Sequence, residues 1–286
     1  MGRIGFIGGS GLYGLEGLTK KKEINVTTPF GKPSDTFITA ELSGRDVVFL
    51  PRHDRNHTRQ PSEINYRANI YGMKKLGAEW IISVTACGSL KEHLKPLDFC
   101  IPTQFVDRTN QARSHTFFNG GIVAHLGFAH PVCEHLARNI HQAAQKTNVT
   151  VHFGGTYLNM EGPQFSTLAE SNLYRAWGMD IIGMTNMVEA RLAREAEICY
   201  ATLAAITDYD CWHETTASVT VDMVIANLKR NVRNSQEIIK NVVRSIPQKR
   251  TCGCMDALKH AIVTQPHAIK PALKKKLKII IGKYVS

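Results

Sequence analysis

The sequence predicts an α/β fold, a single domain with a central mixed β-sheet flanked by helices. Two patterns predict it. Apolar runs of five to eight residues recur along the chain, each ending in a polar, often glycine-bearing cluster. Amphipathic helical segments lie between several of these runs. Uninterrupted apolar runs suit strands buried on both faces, as in a sheet covered by helices. No repeat at solenoid spacing and no Ser/Gly linker divides the chain.

The predicted strands, in order, are Arg3-Ile4-Gly5-Phe6-Ile7, Asp46-Val47-Val48-Phe49-Leu50, Trp80-Ile81-Ile82-Ser83-Val84, Asp180-Ile181-Ile182-Gly183-Met184 and the run 199–206. A helix is predicted over 62–76, with Ser62 as cap and Glu63 in the first turn, where a carboxylate is favoured. Further helices are predicted over 130–146, 187–196 and 221–245. The last carries Val221, Val224, Ile225, Leu228, Val232, Ile238, Ile239 and Val242 on one stripe and is stopped by Pro247. Residues 1–250 are assigned to this domain and 251–286 to a basic C-terminal extension packed on it or trailing from it.

Composition excludes several classes. At 43% hydrophobic and 21% charged, the chain can bury a core and is not disordered. No apolar stretch approaches the roughly 18–20 residues that span a bilayer, and the short N-terminal run lacks a signal peptide's core and cleavage site. A cytoplasmic location is the expectation. The net charge of +11 invites a nucleic-acid reading, but the last 30 residues hold seven Lys and no acid, and without them the body carries only +4. No helix-turn-helix, zinc-finger or aromatic RNA-binding signature accompanies the charge. Of seven cysteines, Cys87, Cys100, Cys133, Cys199 and Cys211 read as buried small hydrophobes. Cys252-Gly253-Cys254 lacks a second Cys or His pair at zinc spacing, so no metal is expected there.

Ligands of open α/β sheets bind outside the carboxyl ends of the strands. Those ends here carry Ser10, Arg52, His53, Thr85, Asp208 and Asp210. Gly8-Gly9-Ser10-Gly11 lets backbone approach an anion, and it is neither a P-loop nor G-x-G-x-x-G. It is equally readable as a tight turn. Arg52-His53-Asp54-Arg55-Asn56-His57 offers guanidinium donors suited to an oxyanion. Its two His at i, i+4 also have metal-pair spacing, without a carboxylate partner. With Thr85-Ala86 and Thr185, these residues supply the hydroxyls, amides and cations of an oxyanion cradle. No Asp-rich magnesium motif is present, which favours free inorganic phosphate over a nucleoside triphosphate. In Thr207-Asp208-Tyr209-Asp210, both carboxyls face one side if Tyr209 continues the strand, and each then raises the other's proton affinity. A carboxyl that holds its proton near neutrality can donate it to a leaving-group nitrogen.

These residues carry a resemblance. Gly8-Gly9-Ser10-Gly11-Leu12, Thr28-Pro29-Phe30-Gly31-Lys32-Pro33-Ser34, Pro51-Arg52-His53 with His57, Asn65-Tyr66-Arg67-Ala68-Asn69, Thr85-Ala86-Cys87-Gly88-Ser89-Leu90, Glu161-Gly162-Pro163-Gln164-Phe165-Ser166, Met184-Thr185 and Thr207-Asp208-Tyr209-Asp210-Cys211-Trp212 occur in family order. The chain resembles the purine nucleoside phosphorylase superfamily and, within it, the 5′-methylthioadenosine phosphorylase branch.

The resemblance implies a nucleoside phosphorylase-like fold. It also implies phosphorolysis of 5′-methylthioadenosine to adenine and 5-methylthioribose 1-phosphate, or of 6-oxopurine nucleosides as the alternative. It implies phosphate contacts from Ser10, Arg52, His53, Thr85, Ala86 and Thr185, and a ribose contact from Met184. Phe165 and Ser166 match the base-stacking region, and Asp208, Tyr209 and Asp210 the purine-reading segment, with Asp208 as the acid. Val221 and Val224 match the lining of the 5′ pocket, and His125 a residue lent across a subunit interface. The partners implied are nucleoside, phosphate and a trimeric or hexameric homo-oligomer, with no membrane, no specific nucleic acid, no metal and no organic cofactor. Thr185-Asn186-Met187-Val188-Glu189 departs from the family's usual Pro before that Glu. Cys252 and Cys254 resemble a Cys-x-Cys that pairs in some members, and are expected reduced in a reducing cytosol.

Overall fold

The structure, a computed structural model, describes residues 2–110, 113–213 and 221–285, and their side chains except those of Ser10, Tyr13 and residues 221–225. The strands are β1 (Arg3–Gly8), β2 (Thr19–Ile24), β3 (Phe37–Leu42), β4 (Arg45–Pro51), β5 (Ala78–Ser89), β6 (Phe99–Ile101), β7 (Gln104–Arg108), β8 (Val151–Phe153), β9 (Thr156–Met160), β10 (Ile181–Gly183) and β11 (Cys199–Asp208). The helices are α1 (Tyr66–Lys75), α2 (Glu134–Ala144), α3 (Leu168–Ala176), α4 (Asn186–Glu195), α5 (Val221–Ser245), α6 (Pro271–Lys276) and α7 (Lys278–Ile281).

The strands form one mixed sheet in the order β2-β3-β4-β1-β5-β10-β9-β7, with β11 also on β5, β6 on β11 and β8 on β6. β5 is the branch point. It runs parallel to β1 and β11, while its last residues pair antiparallel with β10. β1 is also parallel to β4, so the carboxyl ends of β4, β1, β5 and β11 open on one edge.

Side-chain alternation builds two layers. Phe6, Phe49, Trp80 and Ile82 face α2 and α5. Ile7, Val48, Leu50 and Ile81 face α1, α4 and the C-terminal segment. The seven lysines of the tail therefore do not make it a separate solvated arm. Leu258, Ile269, Leu277, Ile280 and Ile281 are buried in the second layer, while Lys270, Lys275 and Lys278 stay at the surface. No helix among the described residues is long and apolar enough to cross a membrane.

Several boundaries differ from expectation for local reasons. Ser62 does not cap α1: Pro61–Glu63 is a separate 3-10 turn, and Asn65 is the cap, its Oδ1 accepting from Ala68 N at 3.1 Å. Asn65 also donates to Phe30 O at 2.7 Å, which a Ser cap could not reach. α2 starts at Glu134 rather than 130, since helical backbone is disfavoured at the residue before Pro131. α5 spans the predicted residues, but Leu228 is 40% exposed, and Asn231 and Ser235 are buried instead. The strands β2, β3 and β6 to β9 carried no signal strong enough to be predicted.

Cys87 and Cys100 are buried as expected, and Cys211 is only half-buried. Cys133 and Cys199 are buried but are not isolated hydrophobes: their Sγ atoms lie with those of Cys252 and Cys254 within 4.8 Å of one another. The second pair missing from the sequence motif comes from elsewhere in the chain.

Gly72 shows how close the layers pack. A β-carbon there would overlap the Phe37 ring, which is fully buried. Gly→Ala inside a helix ordinarily stabilises by about 1 kcal/mol. Here Gly72→Ala should instead destabilise by about 1–2 kcal/mol net, since overpacking costs about 1–3 kcal/mol. Urea unfolding monitored by circular dichroism gives the sign, and a stabilised variant would contradict this packing.

Candidate active site

The carboxyl edge of β1, β4, β5 and β11 gathers most of the expected residues. Arg52 follows β4, is 3% exposed, and is built into the sheet rather than set on it. Its Nε donates to Glu189 Oε1 at 2.5 Å, its Nη1 to Val84 O at 3.1 Å, and its Nη2 to Ser83 Oγ at 2.5 Å and Ile7 O at 3.3 Å. Burial works against the charge, but Glu189 outweighs it and holds the guanidinium protonated. One Nη1 hydrogen remains without a partner among the described residues. Arg52 thus offers an anion a fixed positive charge and one hydrogen bond, rather than the open fork the sequence suggested.

His53 is a second departure from a doubly cationic cradle. Burial, with Arg52 beside it, pulls its imidazole down to about 4. Nδ1 lies 2.7 Å from Arg59 O, and a carbonyl can only accept, so Nδ1 carries the proton. Nε2 is then a lone pair, able to accept from a protonated phosphate oxygen. His53 stacks on His57 at 4.6 Å, and among the described residues the two form no metal-holding group with a carboxylate. Arg55 turns outward to Asp35 and Glu23. It belongs to the surface, so the basic loop divides into an inner half and a solvated half.

Thr85 and Ala86 lie near the end of β5, and Ala86 is exposed there, leaving its backbone approachable. Thr185 is the residue before α4 and its side chain makes no cap. The segment without the usual Pro still folds as the first turn of α4, with Met187 N donating to Asn159 Oδ1 at 3.0 Å. The positive end of α4 therefore points at the same edge as Arg52. Ser10 opens the 3-10 turn after β1, and its side chain lies outside the described residues. Gly8 permits this turn because a β-carbon there would meet Val84 O at 3.0 Å.

Asp208 ends β11 and is 8% exposed. Its Oδ2 accepts from Thr207 Oγ1 at 2.6 Å and its Oδ1 from Asp210 N at 2.8 Å. Burial raises its proton affinity above that of an ordinary carboxyl, against those two hydrogen bonds, and the Asp210 charge adds less. The sequence argument gave repulsion too much weight, because Tyr209 does not continue the strand. Asp210 sits at φ +52°, in a turn that bonds back to Asp208. Asp210 is also buried, which raises its carboxyl too. The β5–β11 register shifts between Ile206 and Asp208, the kind of bulge that re-aims a side chain. Gly88 makes room, since a β-carbon there would lie 3.0 Å from Asp208 Oδ1.

Around this carboxyl, Tyr209 stacks on His213 at 4.4 Å and donates to Glu92 O at 3.3 Å, which occupies its ring. Phe165 is 53% exposed and Ser166 is buried, its carbonyl accepting from Cys211 Sγ at 3.3 Å. Met184 packs toward Gly162, where no β-carbon would fit.

Sequence reasoning missed the supports. Arg113, buried, donates to Met184 O, to Glu161 O at 2.5 Å and to Glu161 Oε1 at 3.1 Å, tying the Phe165 loop to Met184. Asn227 and Asn231 of α5 donate to Thr207 O and Ile206 O, holding the end of β11. Polar breaks in the α5 stripe were the available signal for these two. His125 is not brought to this edge. It is exposed, with its N–H bonded to Ala261 O at 2.8 Å. The side chains of Val221 and Val224 lie outside the described residues.

Arg52→Ala would leave Glu189 buried without its cation, at a cost of about 3–5 kcal/mol. Arg52→Met combined with Glu189→Leu should recover most of that stability in thermal unfolding. The KM for inorganic phosphate should stay raised in both variants. A double variant with ordinary phosphate KM would remove Arg52 from the anion site.

A family model of the phosphorylase superfamily matches residues 3–244. The chain is 57% identical over 282 residues to an S-methyl-5′-thioadenosine phosphorylase of Geobacter sulfurreducens, covering 99% of each chain. Its fold is similar to that of a methylthioadenosine phosphorylase from an Antarctic soil metagenomic library, at TM-score 0.92 and 47% identity over 97% of this chain and 98% of that one. It is also similar to the Schistosoma mansoni methylthioadenosine phosphorylase in complex with adenine, at TM-score 0.84 and 37% identity over 91% and 96% of the two chains. The identity is spread over nearly the whole chain and the strand-edge site lies within the matched residues, so this protein belongs to the phosphorylase superfamily.

Proposed function

We infer that this protein catalyses phosphorolysis of 5′-methylthioadenosine, releasing adenine and 5-methylthioribose 1-phosphate. The observation that carries the mechanism is the placing of a fixed cation and a proton-holding carboxyl along one strand edge. Thr85 and Ala86 mark the anion end, and Gly88 pairs with Asp208 at the other. Three residues of strand separate Thr85 from Gly88, about 10 Å. That span suits a phosphate below an anomeric carbon at one end and a purine N7 at the other.

Phosphate is held by the α4 N-terminus, Arg52, Thr85, Ala86, Thr185 and Ser10, with neutral His53 accepting from its acidic oxygen. Holding it beneath the sugar makes attack on the anomeric carbon effectively unimolecular. Its negative charge stabilises the ribosyl cation that develops as the glycosidic bond stretches. Met184, clamped by Arg113, contacts the ribose. Phe165 and Ser166 border the base. Protonated Asp208 donates to N7, so adenine leaves neutral. Asp210 accepts from the 6-amino edge. Val221 and Val224 line the methylthio pocket of the 5′ group.

Asp208→Asn removes the acid but keeps the shape. It should lower kcat/KM for 5′-methylthioadenosine about 10²–10⁴-fold. It should harm 5′-methylthioinosine less, since an amide N–H can pair with a 6-carbonyl. Wild-type preference for the oxopurine, or an unmoved ratio of the two kcat/KM values, would overturn the adenine reading.

His125 is exposed beside Val123 and Val263, themselves 49% and 59% exposed. The proposed role of this patch is to meet a second copy of the chain, with His125 completing the neighbour's 5′ pocket in a homo-oligomer. Inactive Asp208→Ala and His125→Ala subunits, mixed in equal amounts, should then recover about a quarter of wild-type activity, because half the sites keep their own acid and half of those receive a neighbour's His. No recovery in oligomers shown to be mixed would place His125 outside the neighbouring site.

A further inference from the structure

We propose that Cys133, Cys199, Cys252 and Cys254 form a structural site for one soft divalent cation of the zinc class, stapling the C-terminal segment to the sheet. The four thiols come from three parts of the chain. Cys133 precedes α2, Cys199 begins β11, and Cys252 and Cys254 flank the start of the 3-10 turn Gly253–Asp256. Cys133 and Cys199 are 119 and 53 residues from Cys252 in the chain, yet their Sγ atoms lie 3.7 and 3.3 Å from its own. All four Sγ atoms fall within 4.8 Å of one another, and none is bridged. A tetrahedral thiolate site with Zn–S near 2.3 Å has sulfur–sulfur edges of about 3.8 Å. The observed separations bracket that edge and are well beyond a disulfide's S–S distance of about 2.05 Å.

The backbone prepares this geometry. Cys252 is the extended residue before the 3-10 turn and Cys254 lies two residues on, inside the turn, and both Sγ atoms reach the same cluster. Cys133 sits at the positive end of α2, which favours a thiolate, and its N–H is fixed to Tyr200 O at 2.8 Å. Four thiolates around a divalent cation carry a net double negative charge. Lys249 and Arg250 line the same cleft as Cys133, Cys199 and Cys252, where they offset it.

Four protein ligands close the coordination sphere, which is the pattern of a structural rather than a catalytic metal. The site also lies at the opposite end of β11 from Asp208, nine residues or about 30 Å away. It therefore acts on the fold and not on the proposed reaction, and its test is independent of that reading.

The test uses the full chain, purified under reductant, stripped with a chelator and titrated anaerobically with Co²⁺. The expected result is saturation at one Co²⁺ per chain, with the ligand-field and thiolate charge-transfer bands of a tetrahedral sulfur set. One equivalent of Zn²⁺ should displace it, and metal should protect four of the seven thiols from a thiol reagent. Combined Cys252→Ser and Cys254→Ser should abolish the bands. Cys254→His should retain one metal with a shifted spectrum, so the proposal stays testable if the double variant does not fold. The proposal is overturned if wild type shows no thiolate–cobalt bands while all seven thiols titrate as free. It is equally overturned if mass spectrometry finds disulfides among these four residues in protein that binds no metal.

Discussion

The buried pair between Arg52 and Glu189 holds the centre of the molecule. Both side chains are almost fully withdrawn from water, so each charge requires the other and every remaining polar atom needs a partner. Those partners come from different elements: Ile7 of β1, Ser83 and Val84 of β5, and Tyr200 of β11, whose hydroxyl donates to Glu189 Oε2 at 3.0 Å. Satisfying one ion pair fixes three strands, the end of β4 and helix α4 against one another. The same requirement sets α4 with its positive end toward the strand edge. Toward the proposed phosphate, Arg52 would therefore contribute field more than hydrogen bonds.

At the other end of the edge, the constraint is on a carboxyl. Asp208 is placed by a bulge, by the missing side chain of Gly88, and by two asparagines reaching from α5. Burial keeps its proton affinity high, and the hydrogen bonds from Thr207 and Asp210 temper that effect while fixing its orientation. The fixed carboxyl contrasts with Phe165, which is largely exposed, on a loop anchored through Glu161 and Arg113. A rigid carboxyl and an approachable aromatic suit the proposed roles of Asp208 and Phe165, since a leaving base must enter, react and depart.

The C-terminal segment links the two remaining features. It begins at the thiol cluster and then runs beside the His125 loop, bonded through Val263 N to Val123 O and His125 N to Ala261 O. Its Leu and Ile side chains complete the α1–α4 layer. Whatever fixes residues 252–254 therefore also fixes the position of His125. A thiolate staple at the start of this segment gives the proposed intersubunit surface a firm base without touching the chemistry.

The sequence alone determined the α/β class, the strands β1, β4, β5, β10 and β11, and helix α5 with its bounds. These follow from local patterns, since a strand buried on both faces must be apolar throughout and an amphipathic helix must keep its stripe. It also singled out Arg52, His53, Thr85, Thr185 and Asp208, because polar residues ending buried strands have few structural reasons to be there. Tertiary structure decided what those residues are. The charge state of His53, the pairing of Arg52, the turn at Asp210 and the meeting of four distant cysteines depend on burial and on neighbours far along the chain. Sequence carries residue type and local period; desolvation and the pairing it enforces exist only once the chain has closed on itself.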